Sequence, residues 1–180
     1  SNRLTLGVSC GGVWMTEDGG ETWEQAGHGL RADFLPPDQA YDPVSQDPHL
    51  IAACRMDPDR VWCQHHNGIF MSKDGGRKFE EFRDVKPSVF GFAVAVHPAD
   101  PDRAWFAPGV KDECRVPVGG CLVVTRTSDG GASFEALGNG LPDRECYDLI
   151  YRHALVCDGT GERLAMGSTT YEWILDHESR

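Results

Sequence analysis

No stretch of this chain approaches the roughly 20 consecutive apolar residues that a membrane-crossing helix requires, and no lysine or arginine cluster could follow a row of phosphates. With 17 basic against 28 acidic side chains, the net charge is −11. Such a chain repels polyanions and anionic lipid surfaces, so neither nucleic acid nor membrane is expected as a partner. Paired cysteines are also missing. Cys10, Cys54, Cys63, Cys114, Cys121, Cys146 and Cys157 form an odd set without a C-x-x-C pair. A chain of 180 residues can bury a core without covalent staples. Buried free thiols in a reducing compartment are therefore expected, which leans towards the cytoplasm, although Cys114 and Cys121 could close a loop in an oxidising one. Initiator methionine and signal peptide are both lacking, and Ser1-Asn2 reads as the scar of a removed tag.

What is abundant is turn-forming residues. The 21 glycines and 11 prolines, with 40% hydrophobic and 25% charged residues, fit a soluble globular chain of many short strands.

Three segments repeat one pattern: TEDGGETW over Thr16–Trp23, SKDGGRKF over Ser72–Phe79 and TSDGGASF over Thr127–Phe134. Asp18, Asp74 and Asp129 stand 56 and 55 residues apart, a period that marks structural repeats. Each pattern predicts a hairpin tip. The aspartate accepts backbone N–H groups ahead of it. The glycine pairs Gly19-Gly20, Gly75-Gly76 and Gly130-Gly131 allow angles that side chains forbid. Trp23, Phe79 and Phe134 start the next strand and pack back under the turn. A second recurring piece, strand–Asp-Pro turn–strand, reads CRMDPDRVWCQ over Cys54–Gln64 and VAVHPADPDRAWFA over Val94–Ala107. Tyr147–Gly167 repeats it loosely, with Asp-Gly-Thr-Gly at the turn. Four short antiparallel strands per unit make a propeller blade.

From Leu4 to about Ser168 the chain resembles the Asp-box (bacterial neuraminidase repeat) β-propellers, which include sialidases, xyloglucanase-type glycoside hydrolases, sortilin-type receptors and a photosystem assembly factor. The resemblance implies an all-β fold, a partial ring of about three to four blades in one domain, with units at about 4–26, 50–82, 90–137 and 147–175. The first unit lacks its opening strand. A fourth Asp box would fall near position 184, beyond the last residue, and the tail Tyr171–Arg180 matches no third strand of the other units.

In a four-stranded meander the 1–2 and 3–4 turns share one face, which is where the Asp boxes fall; they are assigned a structural role. The opposite face carries the long segments 27–49, 64–67, 84–89, 108–120 and 138–146, and ligand chemistry is expected there. The candidates are His65, His66 and Asn67 in a 2–3 turn. They serve as plain turn residues, as polar contacts to a ligand, or, with Cys63 nearby, as ligands of a transition metal. Neighbouring strand residues point to opposite sides, which counts against the metal, and no metal or cofactor is assigned. Arg55 and Arg152, taken as equivalent positions in first strands lining the channel, could pair a ligand carboxylate or bridge to a neighbouring blade.

The sialidase resemblance implies three arginines on the substrate carboxylate, a Tyr–Glu nucleophile pair and an acid Asp. The Arg-Ile-Pro signature of that family is absent here, and no catalytic residue carries over. The leading expectation is a non-catalytic module presenting loops to a glycan or protein. The alternatives are a sialidase-like glycoside hydrolase with an incomplete site, or a shortened propeller without activity. Open edges at both terminal units suggest a homodimer joining Leu4–Ala26 to Tyr147–Leu175 of a second copy. The competing monomer would fold Tyr171, Trp173, Ile174 and Leu175 over the edge as a cap.

Overall fold

Each Asp-Gly-Gly segment closes a hairpin by the same bonds. A carboxylate oxygen of Asp18, Asp74 or Asp129 accepts the hydroxyl two residues earlier, at 2.6, 2.7 and 2.9 Å, and the N–H four residues later, at 2.9 Å in all three. The same hydroxyl accepts the N–H of the second glycine. The serine or threonine before the aspartate is thus a working part of the turn. The first glycine donates across to the chain beside it: Gly75 to Asp59 and Gly130 to Asp102. Both glycines of every pair have positive φ. Where Gly131 lies, a Cβ would sit 2.2 Å from the Phe82 ring.

The computed structural model describes residues 2–170 and 172–176, and these form four antiparallel sheets. The first holds β1 (Leu4–Val8), β2 (Gly12–Thr16) and β3 (Glu24–Ala26). The second holds β4 (Pro48–Ala53), β5 (Val61–His65), β6 (Gly68–Ser72) and β7 (Phe79–Phe82). The third runs β8 (Gly91–Val96), β9 (Ala104–Pro108), β10 (Val124–Thr127) and β11 (Glu135–Leu137). The fourth has β12 (Leu155–Cys157), β13 (Arg163–Gly167) and β14 (Glu172–Asp176). Each is a meander in chain order. The architecture is all-β, a partial ring of propeller blades with β4, β8 and β12 as successive inner strands in contact.

Among the described residues, three of the four buried clusters join one sheet to the next. Val13, Met15, Val61, Cys63, Phe70 and Phe79 join the first to the second. Trp62, Ile69, Met71, Val94 and Phe106 join the second to the third, with Phe82 and Phe134 alongside. Ala93, Trp105, Leu122, Ile150, Leu155 and Met166 join the third to the fourth. Alternate residues of β5 therefore feed different cores, Val61 and Cys63 one way and Trp62 the other. This is why β5 and β6 are buried along their whole length while β1 and β13 alternate. Trp62 stacks on Phe82 at 5.6 Å, and Phe82 meets Phe134 edge-on at 5.5 Å. Such pairs add about 0.5–1.5 kcal/mol each beyond area burial.

Several expectations need correction. Phe79 is buried and Phe134 packs into a core, but Trp23 is exposed. Phe79 and Phe134 pack towards the preceding sheet, and the described residues offer no sheet before the first. The tail supplies a third strand after all: β14 pairs with β13 from Gly167↔Glu172 to Arg163↔Asp176. Leu175 joins the adjacent core and Ile174 is exposed, so this segment extends the sheet and does not cap an edge. Tyr171 lies outside the described residues. The opening strand of the fourth unit is only Leu155–Cys157, preceded by a 3-10 turn at Arg152–Ala154. Of the cysteines, Cys54, Cys63 and Cys146 are buried, whereas Cys10 and Cys114 are exposed; all seven are free thiols. No described helix is long and apolar enough to cross a membrane.

Candidate functional site

At the end of the blades opposite the Asp-Gly-Gly turns, two inner strands are irregular in the same way. β4 shifts register between Pro48 and Leu50, leaving His49 as the extra residue, and β8 shifts between Gly91 and Val94. A bulge bends a strand and re-aims the side chain at that point. Here it turns His49 and Phe92 against each other, stacked at 4.4 Å and 9°.

Asp47, just before β4, is clamped through its backbone by the β5–β6 turn. Its N–H donates to His65 Nε2 at 3.0 Å, and its carbonyl accepts the N–H of His66 at 3.0 Å. The Asp47 side chain reaches the β1–β2 turn, where Oδ1 accepts the Ser9 hydroxyl at 2.6 Å and the Cys10 N–H at 3.2 Å. Oδ2 faces His66 Nδ1 at 3.2 Å and His49 Nε2 at 3.6 Å. His49 donates from Nδ1 to the Gly91 carbonyl at 2.7 Å. On the far side of His66, Nε2 lies 4.0 Å from Asp112 Oδ2. Burial alone would raise the Asp47 carboxyl, but nearby His49 and the Ser9 hydroxyl outweigh it and hold the group well below the usual carboxylate range.

An aromatic rim surrounds this cluster. Phe34 meets His66 edge-on at 5.0 Å, Phe90 meets Phe92 at 5.4 Å, and Tyr151 tilts over Phe92 at 5.2 Å. The Arg115 guanidinium lies 5.4 Å from the Phe92 ring centre while bonded to Asp112 at 2.5 Å. Phe34 and Tyr151 remain about half exposed.

The sequence candidates separate here. His66 belongs to the cluster. His65 does not: it is fully buried, its ring takes the Asp47 N–H, and burial pushes its pKa down to about 3. Asn67 takes the Asp33 N–H at 3.1 Å and so anchors the segment carrying Phe34. Cys63 points into a core, its thiol pushed up by burial, and joins no donor cluster. Arg55 and Arg152 are not equivalent. Arg55 is exposed in the bend after β4, on the Asp-Gly-Gly side, because β4 ends at Ala53. Arg152 stands in the 3-10 turn that touches β8 and β4, and its Nε is buried without a hydrogen-bond partner.

Asp47, His49, Phe90, Phe92 and Tyr151 were not singled out from the sequence. No local motif marks them, since they converge from different units. The usable signal was the length of segments 27–49 and 108–120, which supply Phe34, Asp47, His49, Asp112 and Arg115.

On the Asp-Gly-Gly side there is a hollow of about 360 Å³ lined by Asp18, Trp23, Glu24 and Arg77. Its polar groups already have partners: Asp18 is bonded within its turn and Arg77 pairs with Glu17 and Glu24. Bonds from the Thr16 and Thr22 hydroxyls hold the Asp18 carboxyl below the usual range. The opposite end, where donors remain turned towards one another, is the better candidate.

No known family profile matches the chain, and no curated protein matches its sequence. Solved structures do. An ancestral GH74 enzyme superposes with a TM-score of 0.66 at 16% identity, over 99% of this chain and 22% of that one. YCF48 bound to D1 peptide gives 0.59 at 15%, over 98% and 48%. YCF48 from Cyanidioschyzon merolae gives 0.52 at 17%, over 99% and 65%. The chain thus spans about a fifth to two thirds of the propellers it resembles, and at these identities the likeness shows the fold alone.

Proposed function

We propose that the chain is a non-catalytic propeller module of the Asp-box type that binds a peptide segment of a partner protein at its histidine–aromatic end. The observation that carries this reading is the half-exposed rim of Phe34, Tyr151 and Arg115 around the Phe92–His49 stack. Apolar ring faces beside a guanidinium suit an extended peptide with apolar side chains and a carboxylate. That one similar propeller was solved with a bound peptide favours protein over glycan as the partner class. Hydrolysis of a glycoside needs two carboxylates free to act on a sugar. At this end Asp47 is held by Ser9, Cys10 and two imidazoles, and Asp112 by Arg115.

A displayed-peptide library selected on the wild-type protein tests the reading. Enriched peptides should lose at least tenfold in affinity when Tyr151 or Phe34 becomes alanine. Selection of no peptide, or of peptides indifferent to both substitutions, refutes it, and turnover of sialosides or β-glucans would restore the hydrolase.

The homodimer belongs to this proposal as its assembly. Leu4, Leu6 and Val8 line the outer face of the first sheet, and Val156, Ala165 and Ile174 are register partners across the outer face of the last. Apolar stripes on both outer faces favour a second copy that completes a ring. Light scattering decides it: a mass near 19.8 kDa at micromolar concentration excludes the dimer.

A further inference from the structure

We propose that Asp47, His49 and His66 form a mononuclear binding site for a divalent transition metal, with zinc as the ion their geometry fits. The three atoms Asp47 Oδ2, His49 Nε2 and His66 Nδ1 lie within 4.8 Å of one another. Two of the separations are 3.2 and 3.6 Å. Ligands about 2.0–2.1 Å from a tetrahedral ion stand about 3.3 Å apart, close to these two separations.

The unused atoms of Asp47 and His49 are already held, as metal sites require. Asp47 Oδ1 is fixed by Ser9 and Cys10, which leaves Oδ2 for the ion. The Gly91 carbonyl can only accept, so the proton of His49 sits on Nδ1 and its Nε2 carries the lone pair. His66 Nε2 looks towards the Asp112 carboxylate at 4.0 Å, a side on which the ring can carry its proton once Nδ1 ligates the ion. One cation between the three groups answers all three lone pairs at once.

The donor set, two imidazoles and one carboxylate, suits zinc among the abundant metals and leaves a fourth position open. Solvent reaches that position from the His66 side, whose side chain is 22% exposed while that of His49 is 3%. A rigid frame carries all three ligands: Asp47 and His49 flank Pro48, which pairs with His65 beside His66. The strand-alternation objection to the His65–His66 pair therefore does not apply, because the second imidazole comes from the neighbouring strand.

The test uses protein stripped with chelator and titrated calorimetrically with zinc, with cobalt substitution as a spectroscopic readout. Wild type should take up one equivalent at micromolar affinity or better and give an intense visible cobalt spectrum of low coordination number. His66→Ala, at the most accessible ligand, should lose at least tenfold in affinity while keeping the wild-type far-ultraviolet spectrum without metal. His28→Ala, an exposed linker histidine, should bind as wild type does. Less than half an equivalent in the wild type overturns the proposal, as does undiminished binding by folded His66→Ala. A His28→Ala loss equal to that of His66→Ala would mean surface-histidine binding and also overturns it. A weak octahedral cobalt spectrum overturns the zinc assignment. No peptide enters the measurement, so its outcome is separate from that of the binding-module reading.

Discussion

The two ends of these blades use the same residue types to opposite effect. At one end Asp18, Asp74 and Asp129 each bond only to hydroxyls and N–H groups within six residues of chain, and their oxygens serve their own turn. At the other, Asp47 is reached by Ser9, His49 and His66, from one strand and two turns of two sheets, and one oxygen still faces two imidazoles. A carboxylate satisfied locally makes a repeat; one satisfied only across blades makes a site. Each end can be tested separately.

The largest effect is expected at the turn end, from Gly131→Ala. Gly131 has φ 91°, and the added Cβ would meet a Phe82 ring already confined by Trp62 and Phe134. Left-handed backbone costs about 1–2 kcal/mol for a non-glycine residue, and overpacking a core costs about 1–3 kcal/mol more. Denaturant unfolding should therefore show a loss of about 3 kcal/mol, with peptide and zinc binding intact at temperatures where the fold persists.

Next in size is a pH effect at the opposite end. His65 is buried neutral, its pKa lowered by burial to about 3 from an ordinary 6.5. Between those values the unfolded chain binds the proton that the folded chain refuses, so stability is full above about pH 6.5 and falls as pH drops. One proton is worth about 1.4 kcal/mol per pH unit, or about 2 kcal/mol between pH 6.5 and 5. His65→Gln should flatten that part of the stability curve relative to wild type, and parallel curves would show that His65 titrates normally.

The contrast between the ends also sets how much could be read beforehand. The Asp-Gly-Gly hairpins were legible because each is contained in eight residues, and a period of 55–56 placed the sheets. His66 was legible as a residue in a 2–3 turn, but its partners were not. His49 enters through a bulge, a one-residue irregularity without a sequence marker, and Phe92 enters through another in the next sheet. The tail strand was missed because β14 lacks the leading glycine of β2 and β6, yet main-chain pairing with β13 needs no such residue. Arg55 and Arg152 were set side by side by similar surroundings in sequence. The length of the strand that follows or precedes them decided otherwise.

Asp74→Ala comes third. It removes the bonds from the Ser72 hydroxyl and the Lys78 N–H, both made by a carboxylate on an exposed turn. At about 0.5–1.5 kcal/mol per bond with partial replacement by water, the loss should be about 1–2 kcal/mol by thermal or chemical denaturation. Binding at the far end should not change. A change in peptide or zinc affinity at constant fold would mean that the two ends are coupled and that the division drawn between them is false.

The smallest effect is expected from Arg55→Ala, and it bears on whether the channel claims this residue. Arg55 is exposed in the bend after β4, beside Met56, whose N–H bonds to the Pro98 carbonyl of the next sheet. An exposed side chain of this kind changes stability by about 0.5 kcal/mol or less. Lying at the turn end, it should leave peptide affinity and zinc uptake at wild-type values. Arg152→Ala makes the matched measurement, because that guanidinium sits in the turn packed on β8 and β4 with Nε buried and unbonded. Arg152 stands at the end proposed to bind, so Arg152→Ala should weaken peptides bearing a carboxylate and spare their amide counterparts. If Arg55→Ala weakens them as much, the arginine acts through long-range charge and not through position, and the assignment of binding to one end fails.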